Sequence, residues 1–282
     1  MRIIEDPAEL ASPTLRDCGF VPTMGALHDG HGALVRAAAS DGGPVVVSIF
    51  VNPTQFGPRE DYARYPRTLE EDCRLLTKAG ATAVFVPSVE AVYPRGLEAA
   101  RAESAAMLLP PVATEPRLED ASRPGHFGGV ALVVARLFEL VLPQRAYFGE
   151  KDYQQLRLIE EMVSADSARF GELSIVRCET VRQDDGLAMS SRNRYLTQSE
   201  RGAAVALSRA LRLARGAQTV AHAEQAMLTT LERAGVQIEY AVVRDAETLL
   251  PVVDSERPAR ALIAGKLGET RLIDNCALER HR

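Results

Sequence analysis

Apolar positions follow two alternating rhythms along this chain. Short, nearly continuous apolar runs at residues 19–22, 45–51, 83–86, 145–148 and 173–178 have the pattern of parallel strands covered on both faces. Helical periods lie between them. Residues 68–79 read as a helix opened by Thr68 and stopped by Gly80, a cap-and-stop signature. In 130–141 the apolar positions 130, 133, 134, 137, 138 and 141 recur at helical spacing, and Pro143 ends the run. Residues 152–163 predict a further helix, entered from the turn Gly149-Glu150-Lys151. This β-α-β-α succession predicts an α/β fold built on an open, mostly parallel sheet.

After about residue 184 the rhythm changes. Helical stretches at 199–215 and 221–234 precede strand-like runs at 237–243, 259–264 and 271–273. Helices followed by strands predict a smaller α+β domain rather than more winding of the sheet. The boundary is expected near Asp185, with a small-molecule cleft between the two parts. Residues 97–124, rich in Ala, Pro and charge, read as a connection with some helix in it.

Composition narrows the function classes. The 282 residues are 46% hydrophobic and 25% charged, with a net charge of −5, which argues against a generic nucleic-acid surface. Cys18, Cys73, Cys178 and Cys276 are too far apart for a zinc ribbon or a redox pair. With no secretory leader recognisable, reduced thiols in the cytoplasm are expected. No apolar run approaches the roughly 18 residues of a membrane span.

Candidate chemistry gathers where strands end, the usual ligand position in open α/β sheets. The segment Pro22-Thr23-Met24-Gly25-Ala26-Leu27-His28-Asp29-Gly30-His31 joins a strand to a helix and sets two histidines three residues apart. At that spacing both imidazoles are expected on one face of a first helical turn, beside free backbone N–H groups and the positive end of the helix dipole. Phosphate is the anion such a turn favours. A zinc pair is the rival reading, but no Cys or Glu follows at ligand spacing. Gly30 is read as letting a ligand approach the backbone.

Other segments carry a functional and a bland reading side by side. Asn52-Pro53 is a turn dipeptide, yet Gln55 beyond it offers an amide donor and acceptor to a polar ligand. Lys151 and Gln155, four residues apart on one helix face, form a phosphate clamp or simply a solvated helix start. Asp152 contacts magnesium or caps that helix. Asp184-Asp185-Gly186 is a turn, and Ser190-Ser191-Arg192 after it can clamp a leaving pyrophosphate. Residues 123–129 form a plain connection or a second helix-start site.

Taken in order, PTMGALHDGH, SIFVNPTQF, RPGHFGGV, FGEKDYQQL and DGLAMSSRNRYL resemble the pantoate–β-alanine ligase (pantothenate synthetase) family, within the nucleotidyltransferases of the His-x-Gly-His signature. The resemblance covers nearly the whole chain. It implies a Rossmann-like open parallel sheet domain over residues 1–184 that binds ATP and pantoate. A smaller C-terminal α+β domain over 185–282 would close over the active site. The implied reaction is ATP-dependent condensation of (R)-pantoate with β-alanine, a carbon–nitrogen ligation giving pantothenate, AMP and pyrophosphate through a pantoyl adenylate. Carried over residue by residue, Met24, Gly25, Ala26, Leu27, His28, Asp29, Gly30 and His31 would line the ATP site, with His31 as proton donor and His28 and Lys151 also catalytic. Gly149, Glu150, Lys151, Asp152, Val181, Met189, Ser190, Ser191 and Arg192 would complete the nucleotide site. Gln55 would bind pantoate and later β-alanine, and Gln155 pantoate.

The resemblance further implies magnesium with ATP, for which Glu71, Asp72 and Asp152 are the candidate ligands, and a cytoplasmic homodimer without nucleic-acid or membrane partners. Gly32 and Gly128 depart from the family pattern. Gly32 stands where a larger apolar residue is usual, and Gly128 where a basic residue often contacts phosphate. Two rival readings are a nucleotidyltransferase with a nucleotide-sized acceptor and a non-enzymatic nucleotide sensor.

Overall fold

The computed structural model of the chain describes residues 1–57 and 62–278. Six parallel strands, β1 (Arg2–Ile4), β2 (Gly19–Thr23), β3 (Val45–Ile49), β4 (Ala83–Phe85), β5 (Arg145–Gly149) and β6 (Ser174–Cys178), form one sheet in the order β1-β4-β3-β2-β5-β6. The predicted α/β class and its five strands are present. The short edge strand β1 carries too few residues to show a period.

Helices α1 (Asp29–Ser40) and α2 (Leu69–Ala79) cover one face of this sheet. The one-turn α3 (Val89–Val92), α4 (Leu97–Ala106), the one-turn α5 (Glu119–Ser122), α6 (His126–Val141), α7 (Tyr153–Ala165) and the one-turn α8 (Ser167–Phe170) complete this part of the chain. Alternation along the strands sorts the two cores. Phe20, Val46 and Phe148 pack with Leu137 of α6 and Leu156 of α7. Val21, Val45, Val47 and Tyr147 meet Val35 and Ala38 of α1 and Leu76 of α2 on the other side.

Two boundaries differ from the sequence expectation for physical reasons. The run at 45–51 leaves the ladder after Ile49. Phe50 then donates its N–H to the Thr23 carbonyl at 3.0 Å, and Asn52 opens a 3₁₀ turn, Pro53–Gln55. The helix read from residue 130 starts four residues earlier, at His126. Gly128 and Gly129 look like loop residues but serve close packing. A Cβ on Gly128 would lie 2.3 Å from the Ser104 carbonyl of α4, and one on Gly129 2.4 Å from that of Thr54. The absent Gly128 side chain thus faces α4.

Beyond residue 197 come α9 (Gln198–Arg215), α10 (Val220–Arg233) and an antiparallel sheet of β7 (Gln237–Asp245), β8 (Ala259–Leu267) and β9 (Thr270–Leu278), in the order β7-β8-β9. These elements enclose their own apolar cluster, including Leu207, Met227 and Ile263. β9 runs well past the predicted 271–273 because Asp274 and Asn275, which break its apolar run, are buried within the strand. Among the described residues, no helix is long and apolar enough to cross a membrane.

Candidate active site

Strand order reverses at β2, the switch point where ligands of such sheets sit. The β2–β5 ladder has only two rungs, Gly19–Arg145 and Phe20–Ala146, so the strands part towards their carboxyl ends. Pro22, whose ring nitrogen cannot donate, falls after that parting. A cleft of about 2050 Å³ opens beyond it, lined by loops from β2, β3, β5 and β6 and by residues of β9.

The β2 loop is braced from behind. Gly25 and Ala26 both have positive φ, at 81° and 52°, an uncommon state for alanine. Asp72 of α2, buried at 2% exposure, holds that shape. One carboxylate oxygen accepts the Ala26 N–H at 3.0 Å, and the other accepts the Leu27 N–H at 2.8 Å and the Thr68 hydroxyl at 3.2 Å. These contacts make Asp72 a loop brace rather than a free metal ligand.

The two histidines occupy different helix positions. His28 is the N-cap of α1, and His31 lies in its first turn. Nδ1 of His28 accepts the Gly30 N–H at 3.2 Å, and Nδ1 of His31 accepts the His28 N–H at 3.3 Å. The pair forms a capping box made of imidazoles. A ring nitrogen that accepts leaves the proton on the other, so both rings carry Nε2–H. Burial and the positive charge of Lys151 lower the His28 pKa to about 4. Burial and His28 lower that of His31 to about 3. Both rings are therefore neutral donors in the ligand-free protein. Gly30 lines the cleft, and a Cβ there would lie 2.8 Å from the His28 ring, so the glycine also makes room for His28.

After β3, Asn52 fixes the amide of Gln55. The Asn52 carbonyl oxygen accepts from Thr54 N–H at 3.2 Å and from Tyr93 Oη at 2.7 Å, and its NH₂ donates to Gln55 Oε1 at 3.0 Å. Asn52 thereby fixes which way the amide faces; Gln55 Nε2 lies 3.1 Å from Met24 Sδ and has a second N–H to donate. His126 Nδ1 lies 3.0 Å from the Gln55 carbonyl, so the start of α6 supports this turn.

After β5, the 3₁₀ turn Glu150–Asp152 leads into α7. Lys151 Nζ lies 3.6 Å from Asp152. Partial desolvation raises the Asp152 pKa, its side chain being 50% exposed, but the charges of Lys151, Arg192, Arg123 and His126 outweigh it and hold the carboxyl below its ordinary range. The Asp152 side chain makes no cap hydrogen bond to α7. Gln154 is occupied by Glu119 N–H, the Val112 carbonyl and Asp120, whereas Gln155 lines the cleft.

After β6, residues 181–189 form a small hairpin. Arg182 bridges to Ala188, and Met189 N–H donates to the Val181 carbonyl. Ser190 caps the 3₁₀ helix Ser191–Tyr195 by accepting the Arg192 N–H at 3.3 Å. Ser191 instead donates to the Ala26 carbonyl at 2.9 Å, fastening this loop to the β2 loop.

Met24, His28, Gly30, His31, Gln55, Gly149, Lys151, Asp152, Gln155, Val181, Met189, Ser190, Ser191 and Arg192 therefore share one cleft. Gly25, Ala26 and Leu27 lie behind it, Asp29 is exposed, and Glu150 turns to Arg260 at 2.8 Å. Gly128 is absent from the cleft lining, and Gly32 is buried in α1 near Leu75. Sequence reasoning passed over Asp274 and Asn275, whose signal was a polar pair interrupting an apolar strand.

Comparison with known proteins adds four likenesses. The family described as Pantoate-beta-alanine ligase matches residues 2–277. A pantothenate synthetase from Rubrobacter xylanophilus is 52% identical over 267 residues, covering 92% of this chain and 90% of the relative. The crystal structure of pantothenate synthetase from Thermus thermophilus superposes with a TM-score of 0.89 at 47% identity, covering 98% of this chain and 99% of that one. A pantoate-beta-alanine ligase from Francisella tularensis, solved with beta-gamma ATP and beta-alanine, gives 0.78 at 33% identity, covering 98% and 97%.

Proposed function

The chain belongs to the pantoate–β-alanine ligase family, and from that premise we propose how its cleft divides the work of the reaction. The enzyme is a ligase that condenses pantoate with β-alanine, using ATP and giving pantothenate, AMP and pyrophosphate. ATP lies along the amino end of α1, its phosphates between the Nε2–H groups of His28 and His31, Lys151, Ser190 and Arg192. Pantoate lies between Gln55 and Gln155, its oxygens meeting the Gln55 NH₂. The observation that carries this reading is the opposition, across one cleft, of two neutral imidazole donors and Lys151 to an amide fixed as a donor.

A pantoate carboxylate oxygen attacks the α-phosphorus. The bond from that phosphorus to the bridging oxygen breaks, and pyrophosphate leaves with the electron pair. No proton has to move in this step, so alignment and charge neutralisation carry it. His31 acts here as a hydrogen-bond donor from neutral Nε2–H, since a pKa of about 3 makes imidazolium rare before ATP binds. The polyanion raises that pKa as it enters. The β-alanine amine then attacks the acyl carbon of the adenylate beside Gln55, the carbon–oxygen bond to AMP breaks, and the amine sheds a proton.

No group of three His, Cys, Asp or Glu side chains among the described residues is arranged to hold a metal. Asp152 beside Lys151 fits a magnesium ion that arrives on the phosphates and keeps most of its ligands there. When bound, magnesium supplies further charge neutralisation. The reading extends to residues 1–184 as the substrate-binding domain, with 185–282 closing over it, and to a cytoplasmic homodimer.

Isotope transfer tests the intermediate. With ¹⁸O in the pantoate carboxylate, one label should appear in AMP. Pantothenate formed with unlabelled AMP would overturn the adenylate route, and ATP binding without pantoate-dependent turnover would favour a nucleotide sensor.

A further inference from the structure

Both phosphate-side loops are held by one dipeptide from the second sheet. Asn275 of β9 donates through its side-chain NH₂ to the main-chain carbonyls of Glu150 and Lys151, at 2.9 and 2.8 Å. Its orientation is fixed, because Arg260 donates to its Oδ1 at 3.0 Å. Arg260 also pairs with Glu150 at 2.8 Å and stacks 3.6 Å over the Tyr153 ring. Its neighbour Asp274, with a side chain only 1% exposed, grips Arg182 in bidentate fashion at 2.7 and 2.9 Å. Arg182 also donates to the Gly186 carbonyl at 3.1 Å, inside the hairpin that leads to Ser190. Neither residue needs such partners to complete the strand ladder, which β8 supplies.

We propose that Asp274 and Asn275 are positioning residues for adenylate formation. Asn275 sets the height of Lys151 over the phosphates, and Asp274 sets the hairpin that carries Ser190 and Arg192. This rests on the assignment of those loops to ATP. Small displacements of positioned groups carry large rate penalties, so two loops anchored on adjacent residues of one strand keep their mutual spacing.

The test is steady-state kinetics with ATP and pantoate varied separately, on wild type, Asn275→Ala, Asn275→Asp and Asp274→Ala. Asn275→Asp keeps the size and the acceptor for Arg260 but turns a carboxylate towards two carbonyls. We expect KM for ATP to rise about tenfold in Asn275→Ala, as for loss of charge-independent hydrogen bonds, and at least as far in Asn275→Asp. KM for pantoate should stay within about twofold. Asp274→Ala should show the same split, and because Asn275 N–H donates to Asp274 Oδ1 at 2.8 Å the double alanine variant should depart from the product of the two effects. Unchanged KM for ATP, or both KM values rising together, would overturn the proposal. So would recovery of no folded protein from either Asn275 variant, because the contacts would then hold the fold rather than the loops. A wild-type enzyme without pantothenate synthesis would instead overturn the functional reading.

Discussion

The Ser191 hydroxyl donates to the carbonyl of Ala26, 165 positions earlier and 2.9 Å away. This bond ties the loop after β6 to the positive-φ turn after β2, behind the cleft. Ser190, next to it, accepts a backbone N–H, and its hydroxyl donates to no acceptor among the described residues. The two serines therefore differ in kind. Ser191→Ala should weaken binding of a non-hydrolysable ATP analogue by about 1 kcal/mol, the usual net worth of one hydrogen bond, measured by calorimetry with pantoate affinity as the control.

His31→Ala should slow formation of the pantoyl adenylate by roughly 10²–10³-fold, the scale for losing one donor to developing charge. It also removes one bond of the capping box, costing about 1 kcal/mol of stability. Rapid-quench measurement of a single turnover separates these effects, and an unchanged first step would remove His31 from the chemistry.

The histidine pKa values set a pH signature. With His28 near 4 and His31 near 3 in the folded protein, against 6.5 when unfolded, the unfolded chain binds protons that the folded one does not. Their contribution to stability is complete above about pH 6.5 and is lost as the pH falls towards 4 and 3. Proton NMR of the ligand-free enzyme should show these two imidazoles untitrated at pH 5.5. Midpoints near 6.5 would contradict the half-buried, neutral state.

Lys151→Ala should weaken ATP use and leave pantoate binding largely intact. Calorimetry that finds normal affinity for an ATP analogue would remove Lys151 from the phosphate site.

Arg271 and Glu119 give a stability prediction far along the chain. Both Arg271 terminal nitrogens reach the Glu119 carboxylate, at 2.7 and 2.8 Å, and the Tyr240 hydroxyl adds a third bond. Burial raises the Glu119 pKa, but these partners outweigh it and hold the carboxyl below its ordinary value. Arg271→Met should cost about 3–5 kcal/mol, because a buried carboxylate loses its partner, read by urea unfolding at pH 7. The deficit should begin to shrink already above about pH 4.5, because burial without Arg271 lifts the Glu119 carboxyl of the variant above its ordinary value and it takes up a proton there.

Most of the scaffold was legible because period-2 and period-3.6 patterns report burial directly, as Phe20, Val21 and the 130–141 run do. Features that depend on partners distant in sequence were not. Gly128 and Gly129 read as loop, since nothing nearby announces the backbones of Ser104 and Thr54 against them. Asp72 read as a metal candidate because a carboxylate that accepts Ala26 and Leu27 N–H looks the same in sequence as a free one. Asp274 and Asn275 read as the end of a strand, though buried bonding continues through them. His28 and His31 were found by spacing, but their tautomers emerge only from Nδ1 contacts.

The strand that fixes the 150–152 turn and the 181–189 hairpin is made long after the first of them. Asn275 follows Glu150 by 125 residues, and a ribosome adding about 5–20 residues per second leaves an interval of roughly 6–25 s. Once β6 is made, for the later part of that interval, the first sheet has every residue it needs, yet Lys151 and the 181–189 hairpin lack their anchors. On the function proposed above, competence to activate a carboxylate arrives late in synthesis, and a chain interrupted before β9 would carry His28 and His31 without the bonds that hold Lys151 and the hairpin.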